Sequence, residues 1–328
     1  MILVTGGTGF LGSTLIKFLI EQGHTVVATK RSSSVIPDFL KSSPLIRWVT
    51  ADITDYFALA DIFQGIKQVY HCAAKVSYQK EDAQELYLVN VEGTSHIVNL
   101  CLEFSARLVY VSSIAALGTS KNKQPVNERD KWEFHPKMSN YSLSKYKAEL
   151  EVWRGINEGL DAVIVNPSVI MGIGAYKKGS GAIFELVNNG IKIFTAGSVG
   201  IVDVTDVSRI MVKLMNSSIT GERFILNAEN ISNKELLERI ANLLNKKAPT
   251  IKANNFMLSA AWRLSKIASK ITGKKPVITE ESARAASELL AYSNDKILSA
   301  IDYTFRPLNK TLQDIANTYY KNNKTQTI

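Results

Sequence analysis

The chain has 328 residues, 45% hydrophobic and 21% charged, a globular composition with ample material for one large core or two coupled ones. No apolar run approaches the roughly 20 residues that cross a bilayer, and the chain opens on MILVTGG with no basic-then-apolar leader, so a cytoplasmic protein without an integral membrane segment is expected. Its two cysteines, Cys72 and Cys101, sit in the apolar runs VYHCAA and VNLCLEF, which argues for small buried residues and against a disulfide framework, redox pair or metal site.

The first half alternates short β-rich runs with helical patterns. ILVT (residues 2–5) precedes a helix over about 10–22. TVVAT, RWVTAD and a short helical piece after Asp52 come next. QVYHCAA then leads into a long helix over about 84–104, RLVYVSS into a helix over about 141–157, and DAVIVNP closes the series. Strands that are apolar throughout are buried on both faces, and their alternation with helices builds βαβ units. The pattern predicts an α/β protein with a doubly wound parallel sheet, a Rossmann fold over residues 1–166, with ligands at the carboxyl ends of the strands.

After Pro167 the rhythm changes. GIGAYKKGSGAIF is a Gly-rich, Lys-containing loop, and from Ser232 onward the pattern is mostly helical. A smaller, largely helical substrate lobe over 167–328 is expected. It is interleaved with the sheet, because IVDV (201–204) and ERFIL (222–226) look like strands that return to it.

The formal charge of +9 invites a nucleic-acid reading, yet no nucleic-acid motif or aromatic-studded basic stripe is present. Much of the excess lies in FMLSAAWRLSKIASKITGKKP, with Arg263, Lys266, Lys270, Lys274 and Lys275. The favoured reading is an amphipathic helix with a solvated basic face; a membrane-surface helix and an anionic-ligand rim are the sharper ones.

TGGTGFLG (5–12) lies where a phosphate-binding turn belongs, between the first strand and the first helix. Gly6 suits a tight turn, Gly9 a close backbone approach to a pyrophosphate, and Gly12 close helix-on-strand packing, with the helix N-terminus facing the anion. At the end of the second strand a carboxylate holds a ribose 2′-hydroxyl, whereas a cation suits a 2′-phosphate. Here the strand ends TVVATKRSSS, with Lys30 and Arg31 and no acid before Asp38. NADP(H) is therefore preferred, with NAD(H) possible; the bland reading is two solvated cations. In YSLSK, Tyr141 and Lys145 are four apart and share a helix face, which a surface pair would also do.

TGGTGFLG, ADITD, HCAA, YVSSIAALG, YSLSK and NPSVIMG occur in the order and spacing of the extended short-chain dehydrogenase/reductase family. The chain most resembles its dihydroflavonol-reductase and 3β-hydroxysteroid-dehydrogenase-like branch, labelled NAD-dependent epimerase/dehydratase. The resemblance implies a Ser113–Tyr141–Lys145 site. Tyr141 is the acid/base, Lys145 favours its phenolate and holds the nicotinamide ribose, and Ser113 bonds the reacting oxygen, with Ser112 the alternative one register away. It also implies cofactor contacts from Gly6, Thr8, Gly9, Phe10, Leu11, Gly12, Arg31, Asp52, Ile53, Ala73, Ala74, Pro167 and Ser168.

Local alternatives exist for several of these. Asp52 could cap the following helix, Asn90 could tie helix to sheet, and His71 reads as a packed strand residue. Where many relatives have VHVxDV this chain has VDVTDV, with Asp203 in the histidine position; Asp206 and Arg209 read as a structural ion pair. The expected activity is reduction of a ketone or aldehyde, or oxidation of the alcohol. A nucleotide-sugar epimerase or dehydratase with bound NAD is the first alternative, and a non-catalytic NADP(H)-binding protein the second. The resemblance further implies a homodimer through the helices at about 84–104 and 141–157.

Overall fold

The computed structural model describes residues 1–120, 124–136, 138–174, 181–273, 275–276 and 278–325. Residues 175–180 of the Gly-rich loop and Lys274 of the basic segment lie outside the described residues.

From the N-terminus the chain runs β1 (Ile2–Thr5), α1 (Phe10–Glu21), β2 (Val26–Lys30), β3 (Ile46–Thr50), α2 (Tyr56–Ala60) and β4 (Gln68–His71). α3 (Ala83–Leu86), a π-helical turn (Tyr87–Glu92) and α4 (Gly93–Glu103) form one continuous helical run. β5 (Arg107–Val111), α5 (Asn140–Asn157) and β6 (Ala162–Pro167) follow. Past Pro167 come β7 (Val169–Met171), α6 (Ala182–Asn188), β8 (Ile193–Phe194), β9 (Ser198–Asp203), α7 (Val204–Met215), β10 (Glu222–Leu226) and β11 (Glu229–Ser232). α8 (Asn233–Leu243), β12 (Ile251–Lys252), α9 (Asn255–Thr272), α10 (Glu280–Ala285), α11 (Asp295–Ala300) and α12 (Leu308–Thr325) complete the path.

Seven strands form one parallel sheet in the order β10-β6-β5-β4-β1-β2-β3. Its central strands are buried over nearly their whole length, as apolar runs sandwiched by helices must be. One face is covered by α1 and α7, whose Leu15, Ile16, Val207 and Met211 meet Val4 and Val163. The other is covered by α4 and α5, whose Ile97, Val98, Ala148 and Val152 meet Leu3, Leu108 and Ile164. The strand order reverses between β1 and β4, where Thr5 pairs with His71; this is the position at which such sheets bind ligands.

Of the two later runs expected to rejoin the sheet, only Glu222–Leu226 does, along β6. β9 instead pairs with β7 and β11 in a separate three-stranded sheet. That small sheet supports a third apolar cluster, in which Met171 and Ile201 pack with Phe184, Leu236, Ile240, Leu312 and Ala316 from α6, α8 and α12.

Candidate active site

The turn after β1 is built around backbone approach. Gly6 has φ +66, and a Cβ there would stand 2.8 Å from the Ala73 backbone. A Cβ on Gly12 would stand 2.3 Å from the Gly6 carbonyl oxygen, so the first turn of α1 lies against the loop. Gly9 caps α1 with no side-chain bond, and no acid occupies the first turn. A helix that begins with unfilled N–H groups beside such a turn suits an anion, and these residues fit a dinucleotide pyrophosphate. Thr8 is half-buried, Leu11 is in the core, and the Phe10 ring packs toward Gly172 and Gly174.

Around that turn a buried imidazole ties two strands and a helix. His71 shares a 2.7 Å hydrogen bond with the Thr5 hydroxyl and a 3.1 Å bond with that of Thr94. Burial pushes its pKa down to about 3, so it stays neutral and is a structural residue. The Thr5 hydroxyl also accepts from the Ala73 amide, at 3.3 Å, which fixes the half-buried Ala73 and exposed Ala74 at the rim.

At its carboxyl end, β2 delivers Lys30 to the Thr50 hydroxyl, 3.2 Å away, while Arg31 is exposed just beyond the strand. Asp38, the first acid that follows, is exposed and paired with Lys41 at 2.5 Å. Asp52 accepts from the Thr54 amide and hydroxyl at 3.0 and 2.9 Å; the helix cap expected of it belongs to Asp55, which accepts from Ala58 at 3.0 Å. Ile53 points into the core against Gly93, so only Asp52 of that pair offers an exposed side chain.

The strand-end serines sort themselves by partner. Ser112 is buried and donates to Glu149 at 2.6 Å. Ser113 is half-buried, accepts from Ala115 at 3.1 Å, and faces the Tyr141 phenol. The Ser139 hydroxyl caps α5 by accepting from the Ser142 amide, and this places Tyr141 in the first turn. Burial pushes the Tyr141 pKa up to about 12, with the Ser113 hydroxyl pulling the other way. The Tyr78 ring lies 5.8 Å from that of Tyr141. Below it, Tyr78 helps line an open groove of about 460 Å³ with Lys75, Asp82, Lys275, Thr279 and Ser282.

Lys145 lies on the same helix as Tyr141 and bonds the strand beneath it. Its ammonium is buried and donates to the Tyr110 hydroxyl at 3.0 Å and the Val111 carbonyl at 2.9 Å. Burial pulls its pKa down to about 8 against the carboxylate of Glu149, which holds it up. In this arrangement burial, not Lys145, dominates the phenol, and the expected shift toward phenolate is absent.

Three polar residues that sequence reading missed or underrated organise the site. Glu149, one turn after Lys145, accepts from Ser112, from Asn166 at 2.8 Å, from Arg223 at 3.0 Å and from Trp153 at 3.3 Å. Asn166 donates also to the Ser113 carbonyl at 3.0 Å and so couples the carboxylate to the serine loop. Asn90 sits in the π-helical turn, bonds both backbone groups of Lys75 at 2.8 and 3.0 Å, and donates to Ser144 on α5 at 2.9 Å. π-turns recur at functional sites, and this one aims Asn90 at the loop after β4. An acid four residues after Lys145 on a helix with buried strands behind it was the one available signal for Glu149.

The remaining expected residues have structural partners. Pro167 ends β6 beside Leu226, and the Ser168 hydroxyl donates to the Leu226 carbonyl at 3.2 Å. Asp203 caps α7 through the Thr205 amide at 2.7 Å and accepts from Thr311 on α12 at 2.6 Å. Asp206 takes its hydrogen bonds from Tyr303 at 2.7 Å and the Arg306 amide at 2.8 Å, while Arg209 lies 5.9 Å over the Phe18 ring, bonds Tyr303 and acts on Asp206 as a nearby charge, so the expected pair is bridged by the Tyr303 hydroxyl.

A parallel sheet with a glycine turn at its switch point and a tyrosine–lysine helix beside a serine loop is the architecture of the extended short-chain dehydrogenase/reductases. The chain belongs to the NAD-dependent epimerase/dehydratase family, whose model matches residues 2–227. Among curated proteins it is 29% identical to the Synechocystis sp. protein named "Putative dihydroflavonol 4-reductase", covering 99% of this chain and 96% of that one. It is 27% identical to cinnamoyl-CoA reductase 1 of Petunia hybrida over 69% of this chain and 72% of that one. Among solved structures, that of gox2253 superposes with a TM-score of 0.83 at 28% identity over 98% of both chains. Among the described residues no helix is long and apolar enough to cross a membrane, and no cluster of metal-ligating side chains is present.

Proposed function

We propose that this protein is an NADP(H)-dependent oxidoreductase that reduces the ketone or aldehyde of a small organic substrate, with Ser113, Tyr141 and Lys145 as its catalytic residues. The observation that carries this reading is the meeting of the Ser113 hydroxyl and the half-buried Tyr141 phenol at the mouth of the β1–β4 switch, with the Lys145 ammonium behind them. The reductase names of its relatives point the same way.

The cofactor, when bound, supplies the hydride to the carbonyl carbon. Tyr141, protonated at neutral pH as any phenol is, gives its proton to the carbonyl oxygen as that oxygen becomes an alkoxide. A neutral phenol is an acid in waiting, which suits reduction better than oxidation. Ser113 donates to the same oxygen and orients it. Lys145 keeps most of its charge at neutral pH, and its remaining N–H is the donor for a ribose hydroxyl. Gly6, Gly9 and Gly12 would let a pyrophosphate reach backbone N–H groups, and the exposed Arg31 would be the partner of a 2′-phosphate.

We also place the enzyme in the cytoplasm, as a homodimer that pairs the faces on which Tyr87, Leu88 and Leu150 are exposed. Calorimetry with NADPH and NADH on the wild type and on Arg31→Glu tests the cofactor reading. Tighter binding of NADPH, with the preference erased in the variant, is expected. Equal or better binding of NADH by the wild type would overturn it and direct the substrate search to nucleotide sugars.

A further inference from the structure

Helix α9 is amphipathic in the wrong direction for a helix that belongs only to a protein core. Among its residues with described side chains none is buried. Phe256 is 80% exposed, Leu264 65% and Ile267 55%. At about 100° per residue these three and Ala260 fall within an arc of about 80°, a continuous apolar stripe. Arg263, Lys266 and Lys270 form the adjoining flank, all exposed, and α9 contains no acidic residue. The half-buried side that packs toward α10 holds Leu258, Ala261, Trp262 and Ser265, the last accepting from the Ile278 amide at 3.1 Å. An ordinary surface helix buries its apolar stripe and solvates its cations. Here both are outside.

We infer that α9 is an interfacial helix that docks this protein on an anionic bilayer surface. The stripe of Phe256, Leu264 and Ile267 enters the boundary between headgroups and acyl chains, while Arg263, Lys266 and Lys270 lie at the phosphates. Charge complementarity selects this occupant. Lys246, Lys247 and Lys252, all exposed, precede the helix in the chain, and the chain as a whole carries +9. A second copy of the chain would bring an acid-free α9 against an acid-free α9, cation toward cation. The inference stands apart from the catalytic reading, since none of these residues belongs to the site around Tyr141.

The test is flotation of the full chain with vesicles of phosphatidylcholine alone and of phosphatidylcholine mixed with phosphatidylglycerol, at low and physiological salt. The wild type is expected to partition at least about tenfold more strongly onto the anionic vesicles, with the difference shrinking as salt rises. Lys266→Glu/Lys270→Glu and Phe256→Ser/Leu264→Ser should each lose about tenfold or more of that binding, with unchanged circular dichroism and melting temperature. The inference is overturned by absent binding to anionic vesicles at low salt, by equal binding to both kinds, or by wild-type binding in either variant. It is overturned too if Phe256→Ser/Leu264→Ser dissolves a dimer seen by light scattering, which would make the stripe an interface between copies.

Discussion

Replacing Glu149 tests how far the site depends on a residue that touches no reacting atom. Its carboxylate is buried and accepts from Ser112, Asn166, Arg223 and Trp153. Glu149→Ala takes an acceptor from all four; Asn166 keeps the Ser113 carbonyl and Arg223 the Glu128 carbonyl, but the largely buried guanidinium of Arg223 loses its counter-charge. Breaking a buried charge pair costs about 3–5 kcal/mol. With an unfolding entropy near 2.1 cal/mol/K per residue, a 328-residue chain loses about 6 °C of melting temperature for about 4 kcal/mol. Glu149→Gln keeps the shape but turns one acceptor into a donor facing donors, at about 2 kcal/mol and about 3 °C. The same change removes the charge that holds the Lys145 pKa up, so that pKa should fall below its present value of about 8. The alkaline limb of cofactor binding should then move to lower pH. Scanning calorimetry of the variants, with cofactor titrations from neutral to alkaline pH, measures both effects. A Glu149→Ala protein that melts within a degree of the wild type and binds cofactor with an unshifted pH profile would refute the reasoning.

Tyr141→Phe should reduce turnover of a carbonyl substrate by about a hundredfold or more while leaving cofactor affinity near that of the wild type, measured by NADPH absorbance and calorimetry; retained turnover would remove Tyr141 from the chemistry. Gly12→Ala places a methyl 2.3 Å from the Gly6 carbonyl oxygen, and the required backbone shift should abolish measurable cofactor binding; wild-type affinity would mean the turn is not the pyrophosphate site. His71, with a native pKa near 3 against 6.5 when unfolded, refuses a proton that the unfolded chain accepts. Stability should therefore fall as pH drops from 6.5 toward 3, by up to about 1.4 kcal/mol per pH unit from this group. Urea unfolding of wild type and His71→Gln across that range should show a shallower slope in the variant, and identical slopes would mean that His71 titrates normally.

The features legible in the sequence are those whose physics is local. Apolar runs at strand length, broken by amphipathic helices, specify a parallel sheet because both faces of each strand must be covered. Glycines at 6, 9 and 12 mark the turn, since only a residue without Cβ accepts the contacts found there. Tyr141 and Lys145 share a helix by their spacing alone. Tertiary structure decided what those side chains do. Whether Ser112 or Ser113 faces the phenol depends on Glu149, 37 residues from Ser112, and Glu149 is held by Arg223 from 74 residues away. Lys145 goes to Tyr110 and Val111 because an ammonium taken out of water must be hydrogen-bonded by whatever strand lies beneath it. The pairing of β9 with β7 instead of the main sheet, and the outward turn of the apolar stripe on α9, follow from which surfaces the rest of the chain leaves to be covered. Periodicity measures how strongly a segment is two-sided; only its neighbours determine which side meets the solvent.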